Sequence, residues 1–235
     1  MLDLLFPKRC AGCGVGPRPF CDECRRTVVS IEPPLCARCG APTEFAKDHC
    51  ADCPPPPLVT VRAPFLFEGA VRRAVHRLKF AGDRSVAEAL GEAMAGANLV
   101  EPDVVTWVPL ARGRRARRGF DQARALARVS APRIGRPAVA LLARGSEGDP
   151  QARRSGAERR RAIRGAFRCG GRPPPHVLLV DDVLTTGATA AECARVLLDA
   201  GARHIDVLVA ARAITVRYPR VGSRPGLWLP GETPR

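Results

Sequence analysis

The stretch Val177-Leu-Leu-Val-Asp-Asp-Val-Leu-Thr-Thr-Gly-Ala-Thr189 decides how this chain is read. Its first four residues are continuously apolar, as suits a central parallel strand buried on both faces. That strand delivers two adjacent carboxylates, Asp181 and Asp182, to the carboxyl edge of a sheet, the usual ligand position in open α/β folds. A turn of small residues and a helix start follow, including Gly187 and Ala188. There the unpaired backbone N–H groups and the positive helix end can hold a phosphate. Thr185, Thr186 and Thr189 add hydroxyl donors, and Gly187 lets the backbone approach closely. The carboxylates then stand a sugar's length from the phosphate, suited to ribose hydroxyls and a magnesium-bound substrate.

On either side of this stretch, helical and strand-like patterns alternate through residues 58–213. Val71, Val75 and Leu78 recur at helical spacing after Gly69, and a second helix is predicted over 86–97 with Leu90 and Met94 on its apolar face. Strands are predicted at 104–108, 138–142 and 205–210, with a helix at 120–129. A helix over 188–198 follows the turn and ends at Gly201. This alternation predicts an α/β fold, an open parallel sheet with crossover helices.

The N-terminal part has a different composition. Residues 1–53 contain eight of the ten cysteines, in four pairs: Cys10 and Cys13, Cys21 and Cys24, Cys36 and Cys39, Cys50 and Cys53. Two intervening residues place both sulfurs of a pair on one tight turn, facing one tetrahedral ion. Eight cysteines therefore make two four-thiolate zinc sites of structural type. The sequential partition joins the first two pairs and the last two, and an interleaved partition stays open. His49 in place of Cys50, or redox pairs in place of metal ligands, are the competing readings. With few large apolar residues here, metal binding supplies much of the folding free energy. Cys169 and Cys193 stand apart, and Cys193 reads as core. Pro54-Pro-Pro-Pro57 reads as a stiff linker, so residues 1–57 form one unit and 58–213 another. The proline-rich end, 214–235, lacks apolar periodicity and reads as a mostly disordered tail.

The formal charge is +15. Residues 1–57 hold seven basic and seven acidic residues, so the whole excess lies in 58–235, with 31 against 16. A strongly basic domain attracts phosphates, on a nucleotide, a nucleic acid or an anionic membrane. Two segments concentrate the charge. Arg112, Arg114, Arg115, Arg117 and Arg118 follow the strand at 104–108. If that strand runs parallel to 177–180, they reach the phosphate turn and can neutralise a pyrophosphate leaving group. Seven more arginines lie between Gln151 and Arg168, as a cover or as a track for a phosphate backbone. A solvated basic surface is the plain alternative for both. Phe120 is the best candidate for stacking on a base, against plain core packing at a helix start. The start of the chain is too short and charged for a signal peptide, and no run approaches the ~20 apolar residues of a membrane span. These features predict a cytoplasmic protein without a transmembrane segment.

The 177–189 stretch resembles the phosphoribosyl pyrophosphate motif of type I phosphoribosyltransferases along its full length. The resemblance implies that Asp181 and Asp182 contact the ribose hydroxyls. It also implies that Thr185, Thr186, Gly187, Ala188 and Thr189 cradle the 5′-phosphate. Residues 1–213 as a whole resemble the ComF family, competence-type proteins that join a double zinc ribbon to a phosphoribosyltransferase domain. The stretches that carry this are the cysteine pairs, the Asp-Asp turn, Phe67-Glu-Gly-Ala-Val-Arg-Arg with Leu78-Lys-Phe-Ala-Gly82, Arg117-Arg-Gly-Phe-Asp-Gln122, and Gln151 through Gly165-Ala-Phe167. The resemblance implies binding of phosphoribosyl pyrophosphate with Mg²⁺. It further implies a role in DNA uptake during natural transformation, handling single-stranded DNA with partner proteins, peripheral to the inner membrane. The chain departs from the family pattern at Ala111, where His is common, and at Asp121 and Ala162, where Asn is common.

Three functions compete. One is a non-catalytic DNA-uptake factor that binds a phosphorylated sugar and single-stranded DNA. Another is an active phosphoribosyltransferase of nucleotide metabolism whose acceptor the sequence does not name. The third is a zinc-ribbon adaptor for a protein partner.

Overall fold

The computed structural model describes residues 9–16, 19–58, 60–111, 113, 116, 119–145 and 163–214. Its centre is a parallel sheet in the order β1 (Thr60–Arg62), β7 (His204–Arg212), β6 (His176–Leu184), β3 (Val104–Trp107), with β2 (Phe65–Leu66) also pairing β7. β3 runs parallel to β6, with Val104 opposite Val177 and Trp107 opposite Val180. The loop after β3 therefore leaves at the same edge as the two aspartates. β6 continues through both of them to Leu184, four residues beyond the apolar run. Asp181, Val183 and Leu184 are in register with Val209, Ala211 and Arg212 of β7.

Strand alternation sorts the side chains into two cores. Leu178, Val180, Leu208 and Ala210 face one cluster with α2 (Gly69–Ala81), α3 (Arg84–Ala97) and α4 (Gln122–Ile134). Val177, Leu179, Ile205, Val207 and Val209 face the other, covered by α5 (Ala188–Asp199), Leu58 and Phe167. Helix α2 buries Val71, Ala74, Val75 and Leu78 on one stripe and stops at Gly82 in the left-handed region. Asp83 caps α3 by accepting from Ser85 N at 3.0 Å. Asp121 caps α4 in the same way, accepting from Arg124 N at 3.1 Å. The helix predicted at 120–129 thus starts at its cap and runs on to Ile134.

The strand predicted at 138–142 is not a full member of the sheet. Ala138 makes one bridge to Val105, and β4 (Leu142–Arg144) pairs antiparallel with β5 (Phe167–Cys169) off the main sheet. Pro137 has no N–H to extend the ladder on one side of the bridge, and on the other Leu141 N turns to the Thr106 hydroxyl at 3.3 Å instead of a β3 carbonyl.

The cysteine-rich segment, with the short helix α1 (Asp22–Arg25), lies along the β1–β2 edge. Val61 N donates to Arg38 O, Ile31 N to Pro64 O and Leu66 N to Val29 O, at 2.8–2.9 Å. These bonds cover strand groups that would otherwise be an open edge. Phe20 meets Phe65 edge-on at 6.3 Å between centroids. Arg77 of α2 donates to the Cys10 carbonyl at 2.6 Å. At the start of α2, Gly69 leaves no room for a side chain, because a Cβ there would stand 2.0 Å from Thr27 O. Pro54 and Leu58 are buried, so the proline run packs against the sheet domain. The tail from 215, residues 151–162 and the five arginines of 112–118 lie outside the described residues.

Candidate functional site

A cavity of about 260 Å³ opens at the carboxyl edge of the sheet. β6 supplies Asp181 and Asp182 to its wall, α5 supplies Thr189 and α2 supplies Lys79. Asp121 and Gln122 at the start of α4, Arg144 of β4, and Val108 to Leu110 complete it. Asp182 shares strand parity with Leu178 and Val180, which face α2–α4, and there Lys79 Nζ meets its Oδ1 at 2.9 Å. Asp182 is 7% exposed. Asp181 accepts from the Asp182 N–H at 2.8 Å. Desolvation at the foot of the cleft, then the neighbouring Asp182 charge, raise Asp181 from 3.8 to about 8, with Asp121 pushing the same way and Lys79 opposing. Three carboxylates and two cations thus face one small space, a hard-oxygen set that fits a hydrated Mg²⁺ on a phosphorylated ligand.

The turn beyond β6 divides its residues. Thr185 and Thr186 are exposed, Ala188 and Thr189 are half-buried, and Gly187 is buried. Gly187 caps α5 at φ 75°, leaving the first amides of that helix directed past the turn. Of the predicted phosphate cradle, Thr189 lines the cavity itself. Phe120 is half-buried against the α2–α4 core, beside Gly82. Ala111 is fully buried.

Sequence reasoning missed Lys79, Arg144 and the site role of Asp121. Lys79 carried a signal: residues 58–235 hold this one lysine among thirty arginines. In a chain so biased towards arginine, a retained lysine marks a place where a compact ammonium is needed. Arg144 had no such signal, because β4 returns to the cleft only through its pairing with β5.

The eight paired cysteines form two clusters, Cys10, Cys13, Cys21 and Cys24 in one, Cys36, Cys39, Cys50 and Cys53 in the other. The fold therefore adopts the sequential partition, and Cys50, not His49, joins the second set. Sulfurs of Cys13 and Cys21, and of Cys36 and Cys53, lie 3.7 Å apart, and those of Cys39 and Cys50 3.4 Å. Tetrahedral zinc with bonds of about 2.3 Å needs sulfurs roughly 3.8 Å apart. Burial opposes ionisation of Cys10, but backbone N–H groups of Cys13, Cys21 and Gly12 outweigh it and lower the thiol to about 6. Burial pushes Cys24 up to about 12, and pushes Cys39 up as well. A bound cation favours the thiolate form at every position of a cluster, the buried ones included. Arg212 stands by the second cluster, 1% exposed, with Nε and Nη1 lacking partners among the described residues. A four-thiolate zinc carries net negative charge, which this buried guanidinium offsets. Both donor sets fit zinc.

The double zinc ribbon domain family matches residues 1–54. The DNA utilization protein YhgH of Salmonella typhimurium is 31% identical over 207 residues, covering 83% of this chain and 91% of that protein. Competence protein F of Haemophilus influenzae is 28% identical, covering 88% and 98%. Competence protein ComFC of Bacillus subtilis is 27% identical, covering 77% and 78%. Among solved structures, glutamine phosphoribosylpyrophosphate amidotransferase from B. subtilis aligns at a TM-score of 0.41 and 25% identity over 56% of this chain. The chain spans less than a third of that enzyme's length, 29%. Among the described residues no helix is long and apolar enough to cross a membrane. With its double zinc ribbon, its parallel sheet and its relatives matched over most of their length, the chain belongs to the ComF family of competence proteins.

Proposed function

We propose that the cleft binds phosphoribosyl pyrophosphate with Mg²⁺, and that the chain acts on single-stranded DNA during DNA uptake. One observation carries the first half. Asp181, Asp182 and Thr189 line the same cavity as Lys79 and Arg144, so sugar-binding carboxylates, a phosphate-binding turn and two cations converge. Asp181 and Asp182 hold the ribose hydroxyls, while Asp121 and the aspartate pair face the bound Mg²⁺. The amides from Gly187 onward receive the 5′-phosphate, as helix starts do. Magnesium, when bound, neutralises the pyrophosphate. Lys79 and Arg144 hold that end of the ligand at the cleft wall.

The second half rests on charge and kinship. The basic excess lies wholly in residues 58–235. The chain leaves β3 at the edge where the cleft opens, since β3 and β6 are parallel, and in sequence Arg112, Arg114, Arg115, Arg117 and Arg118 follow within eleven residues. Relatives named for DNA utilization and competence align with 83% and 88% of this chain.

Calorimetry with phosphoribosyl pyrophosphate and Mg²⁺ tests the first half. Saturable binding is expected, lost by at least tenfold in Asp181→Asn/Asp182→Asn, and no heat with the parent chain would refute it. Single-stranded DNA binding that weakens steeply with salt, and weakens again in Arg114→Ala/Arg115→Ala/Arg117→Ala, is expected of the second half. Salt-independent binding would overturn it.

A further inference from the structure

Three side chains outside the cleft form a cluster of different chemistry. His176 opens β6 and His204 opens β7, and the two are in register across the parallel pair. Asp206 lies two residues along from His204, on the same face of the strand. The imidazoles meet edge-on at 4.8 Å between centroids. Asp206 Oδ2 receives both, at 2.6 Å from His176 Nε2 and 3.3 Å from His204 Nε2. One ligand atom of each residue lies within 4.8 Å of the others.

We propose that His176, His204 and Asp206 form a third metal site, selective for an imidazole-seeking divalent transition ion, at the amino edge of the sheet. Three features of the cluster favour a metal over a plain hydrogen-bonded triad. Asp206 is 1% exposed, and its second oxygen, Oδ1, has no hydrogen-bond partner among the described residues. A carboxylate so deeply buried needs more positive charge than two neutral imidazoles on one of its oxygens provide. The donors also converge. Metal–ligand bonds of about 2.0–2.1 Å place tetrahedral ligands roughly 3.3 Å apart, the separation of His204 Nε2 and Asp206 Oδ2. A small rotation of the His176 ring away from its hydrogen bond brings its nitrogen to the same spacing. The site is also open on one side. The side chains of His176 and His204 are 25% and 45% exposed, so an ion can enter and keep water in its remaining positions. Two imidazoles and one carboxylate suit zinc, nickel, copper or cobalt better than magnesium or calcium.

The site is distinct from the cleft. Asp182 lies six positions along β6 from His176, about 20 Å at 3.3 Å per residue. It is also distinct from the ribbons, whose ligands are all thiolates.

The test uses the full chain, free of any added histidine tag, with both ribbons loaded with zinc. Equilibrium dialysis against Ni²⁺, followed by elemental analysis, is expected to show one nickel per chain beside two retained zincs. His204→Gln, a change at a half-exposed position, is expected to weaken nickel uptake at least tenfold while both zincs stay. His176→Gln is the second variant and is expected to do the same. With Co²⁺ in place of nickel, weak absorption without a sulfur charge-transfer band is expected. The proposal is overturned by no nickel uptake, by uptake matched by zinc loss, or by undiminished uptake in both variants. Binding of phosphoribosyl pyrophosphate is expected to be unchanged in His204→Gln, so failure here and failure of the cleft reading are separable.

Discussion

Pro54 fills the space behind Gly187: a Cβ on the glycine would stand 2.5 Å from the Pro54 Cβ. The proline directly follows Cys53, a ligand of the second cluster, and the glycine caps the helix that receives phosphate in the proposed function. The ribbon and the turn are therefore one packed unit, joined again where the Arg212 guanidinium donates to the Asp52 carbonyl.

Gly187→Ala is expected to strain the turn twice over, through its φ of 75° and through the contact with Pro54. The cost in stability is about 1–3 kcal/mol, with loss of phosphoribosyl pyrophosphate affinity of at least tenfold. Adding Pro54→Ala relieves only the contact, so a partial recovery in thermal melting and little recovery in calorimetry are expected. Full recovery of both would show that the backbone conformation is unimportant.

Removing the second zinc, by chelation or by Cys39→Ser, is expected to loosen the phosphate turn as well as the ribbon. Arg212 loses the negative cluster it faces, and Pro54 loses its anchor at Cys53. Hydrogen exchange at the amides of residues 188–191 reports this, and faster exchange confined to residues 9–53 would contradict it.

Lys79→Ala leaves Asp182 buried beside Asp181 without its cation. A destabilisation of about 2–3 kcal/mol is expected from denaturant melts. Lys79→Met/Asp182→Asn removes both charges and is expected to regain most of that stability, while ligand binding stays lost. If the double variant is as unstable as Lys79→Ala, the ion pair is not the cause.

Asp181 sets a pH dependence. Its value in the fold, about 8, lies above the unfolded 3.8, so the folded chain binds the extra proton between those limits. Stability from the protonated carboxyl is lost as pH rises from 3.8 through about 8. At pH 9 Asp181→Asn is expected to be more stable than the parent, with little difference near pH 4. Binding of the magnesium-bound ligand needs the carboxylate and is expected to strengthen as pH rises to about 8, with proton release visible by calorimetry in different buffers. A flat stability difference between the two chains across pH 4–9 would refute the assignment.

The places where the sequence was hard to read have physical causes. The run Val177–Val180 announced a buried strand, but pairing with β7 carried it on to Leu184, because main-chain bonds are indifferent to the two acidic side chains. The segment at 138–142 looked like a further strand, but past its one bridge Leu141 N bonds the Thr106 side chain in place of the β3 main chain. Four successive prolines suggested a spacer, whereas Pro54 and Leu58 are buried because the sheet domain offers an apolar face beside the ribbon. Asp206 was invisible as a site residue, since its partner His176 lies 30 positions away.

The sequence by itself determined the parts whose chemistry is local. Cysteine pairs two residues apart make metal turns, and an apolar strand running into Asp-Asp, threonines and glycine makes a strand-edge turn into a helix start, wherever the chain places them. Only the tertiary structure decided which cysteine pairs share an ion, that Lys79 meets Asp182, that Pro54 backs Gly187, and that His176 and His204 converge on Asp206. Each of these depends on strand register or on one element docking against another, and those contacts are settled by packing across distant parts of the chain.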